Sequence, residues 1–164
     1  MIRSVPLRVV CLRQGREFYR TQEGSVKVKL LDVTIYEADG WTWRTEEISN
    51  PTWDAVELAI RRLDRFRYPF VWLYQWSGGD HEQTAPDFGV VGGEGEFTLE
   101  AIVDGASLRY FDSSRGDDLI EVWRSDQGAT FEAKYCCSSL DTVLQATRYF
   151  CEHATLDPSL IWRP

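Results

Sequence analysis

Only two segments of this 164-residue chain repeat apolar residues at the spacing of an amphipathic helix. The first is predicted to begin at Asn50-Pro51, with Asn50 as the N-cap and Pro51 at the first helical position, where its missing N–H breaks no hydrogen bond. The second is predicted over residues 140–152, with Ser138 or Ser139 as its cap. Strand-like segments precede and separate the two helices without regular alternation. That order predicts an α+β fold, with a mainly antiparallel sheet packed by two main helices.

The strand predictions rest on short runs of β-branched, aromatic and alternating apolar residues bounded by turn signals. Asp39-Gly40 predicts a hairpin between a strand within residues 26–36 and a returning strand that starts at Trp41, because both turn residues tolerate a positive φ. The glycine-rich stretch at residues 92–95 predicts a second tight turn. Further strands are expected at residues 5–12, 17–20, 70–76, 88–91, 97–103, 108–111, 119–123 and 130–135, and a short closing segment at residues 160–162.

The length of the chain predicts one domain over residues 1–164, since a domain holds roughly 100–200 residues. Residues 1–49 are expected to supply N-terminal strands, and residues 50–164 the remainder of the domain. Apolar residues make up 43% of the chain and charged residues 27%. Those values are typical of a protein with a packed core and not of a disordered chain.

Cysteine usage and the lack of a recognisable targeting segment both favour a cytoplasmic location. No run approaches the ~18 apolar residues that cross a bilayer. The four cysteines are interpreted as reduced and buried: Cys11, Cys136, Cys137 and Cys151. The last three could be combined with His153 as zinc ligands, but no pair has C-x₂-C spacing, and adjacent residues of a strand point to opposite faces. We therefore predict no metal and no cofactor.

The charge of the chain is unevenly distributed. Residues 1–82 carry 12 basic and 12 acidic side chains, whereas residues 83–164 carry 6 and 14, which accounts for the whole net charge of −8. An acidic surface repels phosphate backbones and anionic membranes, so neither a nucleic acid nor a membrane is predicted as a partner. It favours a protein with a basic surface, because complementary charge speeds encounter. Ordinary solubilising charge would explain the same composition.

No catalytic residue is predicted. The chain has two histidines, His81 and His153, and no Gly-x-Ser-x-Gly motif accompanies either of them. The stretch Gly92-Gly93-Glu94-Gly95 lacks the lysine of a phosphate-binding loop and precedes a predicted strand, not a helix. A small hydrolase or ligand-binding protein with a cleft near His81 stays as an alternative function.

Short motifs follow one another in a characteristic order along residues 50–164. They are Asn50-Pro51-x-Trp53 at the start of a helix, a hydrophobic strand over Phe70–Tyr74, Val90-Val91-Gly92-Gly93 before an alternating strand, and a last helix with Ala146 and Phe150, followed by Pro158 and Trp162. This order resembles the Imm1-type immunity proteins of bacterial polymorphic toxin systems. The first fifty residues are longer than that pattern, which leaves open an extra layer of strands or a different subfamily.

The resemblance implies a non-enzymatic, cytosolic antitoxin that binds one cognate toxin domain, often a nuclease or a deaminase, and occludes its active site. A toxin that acts on nucleic acid presents a basic cleft, which the acidic second half would complement. We predict that the partner-binding residues include Asp112, Asp117, Asp118 and Glu121, together with the loop around Asp80 and Asp87. The 7 Trp and 7 Tyr also suit such a partner surface, because interface cores favour these residue types. A general protein-interaction or scaffold domain is a third possibility.

Overall fold

The computed structural model describes residues 26–75 and 85–164. Cys11, Asp80, His81 and the strands predicted at residues 5–12 and 17–20 lie outside these ranges. The strands in the described part are β1 (Leu30–Tyr36), β2 (Trp43–Ser49), β3 (Phe70–Tyr74), β4 (Asp87–Gly93), β5 (Glu96–Val103), β6 (Ala106–Tyr110), β7 (Leu119–Trp123), β8 (Ala129–Glu132) and β9 (Trp162–Arg163). The helices are α1 (Trp53–Arg61) and α2 (Leu140–His153), with a short 3₁₀ turn at Ala133–Tyr135.

Seven strands form one sheet in the order β2-β1-β3-β4-β5-β6-β9, and β7 and β8 pair separately as a hairpin. Every pairing between these strands is antiparallel. The predicted α+β class, with a mainly antiparallel sheet and two helices, is therefore confirmed. The sheet dominates the architecture, and neither helix in the described ranges is long and apolar enough to cross a membrane.

One face of the sheet shares a core with both helices. Alternate residues of β1, such as Leu31, Val33 and Ile35, are almost fully buried there. At its centre the rings of Phe88 on β4 and Phe150 on α2 stack with their centroids 5.0 Å apart. The other core residues come from the same elements: Val56, Ala59, Ile60, Val71, Leu73, Val90, Leu99, Ala101, Val143, Ala146 and Cys151. The helices thus cover a single face.

Three cysteines in the described ranges are free and buried, as predicted: Cys136, Cys137 and Cys151. Burial raises the pKa of the Cys151 thiol to about 12 and that of Cys136 to about 11. Both thiols are consequently neutral at physiological pH, and a neutral thiol is a poor nucleophile.

The predicted start of the first helix is wrong. Thr52 is the N-cap, with its Oγ1 accepting a hydrogen bond from the Ala55 N–H at 3.3 Å, and Pro51 precedes it. Asn50 instead has a left-handed φ of 48° and donates its N–H to the carbonyl of Lys29 at 2.7 Å. Asn50 therefore ends the β1–β2 pairing. For the second helix, Ser139 is the cap, as one of the two predicted alternatives.

The β7–β8 hairpin packs on part of the opposite face of the sheet, where Val122 and Cys136 bury Val91 of β4. Arg65 holds it in place: its Nε donates to the Gly93 carbonyl at 2.9 Å and its Nη1 to the Glu121 carbonyl at 3.1 Å. A Cβ on Gly93, whose φ is 142°, would lie 2.5 Å from the Leu63 carbonyl oxygen. Gly93 is therefore the last residue of β4, at a point where the backbone at Leu63 passes close to it. The tight turn predicted over residues 92–95 is shorter than expected and consists of Glu94 and Gly95.

Candidate functional site

The acidic residues predicted to bind a partner between β6 and β7 are engaged in local contacts. The Asp112 carboxylate accepts hydrogen bonds from the Ser114 N–H at 2.9 Å and the Ser114 hydroxyl at 2.6 Å, which lowers the pKa of Asp112. Asp117 forms an ion pair with Lys134 at 2.6 Å, and Glu132 also contacts that ammonium. Asp118 has an exposed side chain, and its carbonyl accepts the Ala133 N–H.

The remaining predicted carboxylates lie on other elements. Glu121 lies on β7 and forms an exposed ion pair with Arg124 at 3.2 Å. Asp87 begins β4, in register with Tyr74 of β3 on the face opposite the helices. The structure therefore distributes these residues over a loop, the hairpin and the sheet, and Asp80 lies outside the described ranges.

The face opposite the helices contains a groove over β2, β1 and β3, beside the β7–β8 hairpin. Its volume is about 310 Å³. We call it the acidic-aromatic groove, after the residues that line it: Asp32, Thr34, Tyr36, Trp43, Thr45, Phe70, Trp72, Tyr74 and Asp126. Among these described residues there are two carboxylates and no lysine or arginine.

Strand register builds the floor of the groove. Asp32 of β1 lies opposite Glu47 on β2 and Trp72 on β3. Two residues further along β1, Thr34 lies opposite Thr45 of β2. Because successive strand residues point to opposite faces, the alternation that buries Leu31, Val33 and Ile35 necessarily places the polar residues between them on the other face.

The surroundings of Asp32 in the groove disfavour the ionised form of its carboxylate. Its Oδ1 is buried and accepts no hydrogen bond from any described residue. Burial, followed by repulsion from Glu47, raises the pKa of Asp32 above its ordinary value. Burial and the charges of Asp32 and Asp87 likewise raise the pKa of Tyr74 to about 12. A cation bound in the groove would stabilise the ionised carboxylate of Asp32, because a nearby opposite charge favours the charged form.

Gly89 determines how Trp72 lies. A Cβ on this β4 residue would come within 3.0 Å of three atoms of the Trp72 ring, Cε2, Cζ2 and Cη2. The indole therefore leans over the backbone of β4, roughly parallel to the Tyr74 ring at 22° with 6.5 Å between centroids. Trp72 and Asp32, which are opposite each other on β3 and β1, both line the groove.

Aromatic packing closes the far end of the groove. Trp123 of the hairpin packs edge-on against Phe70, with the ring centroids 5.2 Å apart, and at a tilt of 54° against Tyr36, with the centroids 6.1 Å apart. The Tyr36 hydroxyl donates to Asp126 Oδ2 at 3.3 Å. The hairpin thus places a second carboxylate, Asp126, at the end of the groove away from Asp32.

Two tryptophans of the β1–β2 hairpin are unusually exposed, and one of them, Trp43, lines the groove. Trp43 on β2 has 58% of its surface accessible, and Trp41 in the preceding turn has 67%. The Asp39 carboxylate fixes this turn by accepting hydrogen bonds from the N–H groups of Trp41 and Thr42, both at 2.9 Å. Large aromatic side chains that stay exposed on an ordered turn are typical anchors of protein–protein interfaces.

Sequence reasoning missed this groove, although a signal was present. Residues 31–36 alternate strictly between apolar and polar or aromatic types, and the second set includes both Asp32 and Tyr36. An acidic and an aromatic residue on the face of a strand that points away from the core can indicate a binding surface as well as a solvent-exposed one.

No protein-family model matches the chain, and no curated protein is significantly similar to it. In the described ranges no three His, Cys, Asp or Glu side chains are grouped so that they could hold a metal ion.

Proposed function

We propose that this chain is a cytosolic immunity protein, a non-enzymatic antitoxin that binds a cognate toxin domain and occludes its active site. The observation that carries the proposal is the open face over β2, β1 and β3, where exposed tryptophans adjoin a groove with carboxylates at both ends. Such a face has the aromatic anchors and the charge that a basic protein partner requires.

The class of toxin follows from the sign of this charge. Enzymes that act on nucleic acids bind phosphate backbones through lysine and arginine side chains. An inhibitor that covers such a site needs an acidic face, and complementary charge also accelerates its association. A nuclease or deaminase domain is therefore the proposed target, in line with the resemblance to immunity proteins.

We propose that the acidic loop between β6 and β7 lies at the rim of the interface with the toxin. Asp117 pairs locally with Lys134, and Glu121 pairs with Arg124, although each of these cations also contacts a second carboxylate. Exposed acids at the rim of an interface chiefly affect the rate of association, whereas desolvated groups at its centre determine how long the complex lasts. We accordingly place the centre of the interface at the groove and Trp43.

Co-expression with the toxin domain encoded by the neighbouring gene tests the proposal. The wild-type chain should restore growth and should co-elute with that domain. Replacing both Trp41 and Trp43 by alanine should abolish rescue, while Leu58→Ala, at a comparably exposed apolar residue of α1, should leave it intact. Toxicity that persists in the presence of folded wild-type protein would refute the proposed function.

A further inference from the structure

We propose that the acidic-aromatic groove accepts one arginine side chain of the bound toxin, with its guanidinium against the Trp72 ring and hydrogen-bonded to the Asp32 carboxylate. This inference rests on the proposed function and identifies the chemistry that the groove would recognise.

The charge of the groove selects a cation. Asp32 at one end and Asp126 at the other are the ionisable acids that line it, and Glu47 lies beside Asp32 on the adjacent strand. Asp87 adds a further carboxylate near Tyr74. The ion pairs found elsewhere in the second half bring arginine or lysine to a carboxylate, as at Arg109–Glu100 and Arg115–Glu96. No basic residue of the described ranges lines the groove in this way, so a guanidinium that binds there would supply the counter-charge.

The buried Oδ1 of Asp32 is an acceptor to which a ligand could donate a hydrogen bond. A carboxylate oxygen that is shielded from water and lacks a hydrogen bond is costly, and an N–H donor from a ligand would remove that cost. A charged donor is favoured over a neutral one because charge-assisted hydrogen bonds are the stronger kind.

The aromatic walls favour arginine over lysine. A guanidinium is planar, stacks on indole faces and presents parallel N–H groups to a carboxylate, whereas an ammonium is compact and more strongly hydrated. One face of Trp72 is occupied by the Gly89 backbone, and Tyr36 is held by Asp126. Both rings are therefore fixed before a ligand arrives, which lowers the entropic cost of binding.

The length of the groove limits where an arginine side chain can enter. Asp32 and Tyr36 are four residues apart on β1, which corresponds to about 13 Å along a strand. This span is longer than one arginine side chain, so the arginine would enter over Thr34, midway along the groove, to reach Asp32 with its guanidinium. The volume of about 310 Å³ is sufficient for one such side chain.

A titration with acetyl-arginine amide tests the groove without the toxin. The indole N–H signal of Trp72, assigned with Trp72→Phe, should shift saturably in the NMR spectrum of the wild-type protein. Acetyl-citrulline amide, which has the same shape without the charge, should produce no saturable shift, and acetyl-lysine amide should bind more weakly. Equal binding of the three probes would overturn the proposal.

Two variants and a matched control locate the binding. Asp32→Asn removes the charge with little change of shape and should weaken binding of the arginine probe at least about tenfold. Gly89→Ala keeps every charge but displaces the Trp72 ring, and it should also weaken the probe. Asp104→Asn makes the same charge change at an exposed position between β5 and β6, outside the groove, and should have no effect. Unchanged binding in both Asp32→Asn and Gly89→Ala would overturn the proposal.

The same variants separate this inference from the proposed function. If wild-type protein and Asp32→Asn bind the toxin domain with equal affinity, an immunity function stands and the arginine-accepting groove is refuted. If the wild-type protein fails to neutralise the toxin, the immunity function is refuted, and the probe titration alone decides whether the groove binds a guanidinium.

Discussion

Asp32 shows at the scale of a single residue how binding can oppose stability. Its raised pKa means that the ionised carboxylate is less favourable in the folded chain than in the unfolded one. Such a residue weakens the fold near neutral pH unless a cation compensates it. Residues that destabilise the free protein are found where function requires them.

We therefore expect Asp32→Asn to stabilise the unliganded protein at pH 7, by up to about 1 kcal/mol, a small value because solvent screens a partly buried carboxylate. The advantage should shrink as the pH falls through the folded-state pKa of Asp32, since the wild-type side chain then becomes neutral as well. Urea denaturation of both proteins between pH 4 and pH 7 measures this, with Asp118→Asn as the control. A less stable Asp32→Asn at pH 7 would contradict the electrostatic description.

Arg115 contrasts with Asp32: it is also a partly buried charged residue, but it has hydrogen-bond partners of opposite charge. Its Nη2 donates to both carboxylate oxygens of Glu96, at 2.8 and 2.9 Å, and its Nη1 donates to the Cys136 carbonyl at 2.9 Å. The exposed Arg124, by contrast, pairs with Glu94 and Glu121 near solvent.

Arg115→Met should destabilise the protein by about 1.5–3 kcal/mol, because it leaves a partly buried carboxylate and a carbonyl without their donor. Arg124→Met should cost about 0–1 kcal/mol, the usual value for exposed ion pairs. Chemical denaturation of the two variants measures these losses of stability. Equal losses would show that burial does not make the Arg115 ion pair more stabilising than the Arg124 pairs.

At the scale of the elements, the caps of the two helices show what local sequence can and cannot predict. The cap of α2 was predicted as Ser138 or Ser139, because serine is a preferred N-cap residue, and Ser139 is the cap. Asn50-Pro51 is an equally strong local signal, yet Asn50 takes a left-handed conformation and bonds to Lys29 on the neighbouring strand. Pairing with a residue twenty-one positions earlier thus overrode a local preference.

The cap assignment for α1 makes a direct prediction. Thr52→Ala should reduce stability by about 0.5–2 kcal/mol, because it removes the acceptor for the Ala55 N–H. Asn50→Gly should be close to neutral or slightly stabilising, since glycine adopts a positive φ without strain. A larger loss for Asn50→Gly than for Thr52→Ala would restore Asn50 as the cap. Thermal unfolding of the two variants decides between them.

The strands were largely predictable, but the candidate site was not. Period-two alternation located β5, and partial alternation located β1, because one face of each strand is largely buried. The groove, however, depends on the register that sets Asp32 beside Trp72, forty residues later, and on Gly89 beneath the indole. Acids cluster in the sequence at residues 112–121, which predicted a binding surface there, whereas in space Asp117 pairs with Lys134 and Glu121 pairs with Arg124.

For the whole molecule, the sheet divides the protein into two unlike faces. One is filled by α1, α2 and the shared apolar core. On the other face, the β7–β8 hairpin covers part of the sheet, and the groove lies beside it in the part that no other described element covers. The net charge of −8 and the local arrangement of carboxylates therefore act together, since the overall field attracts a basic partner and the groove positions it.

Amide hydrogen exchange of the chain, free and bound to the toxin domain, is the measurement that tests most directly where the partner binds. We expect slower exchange in the complex across β2 and the turn that carries Trp41, with little change in α1 and α2. Protection confined to the two helices, with the turn and β2 unaffected, would contradict the assignment of the open face as the toxin-binding surface.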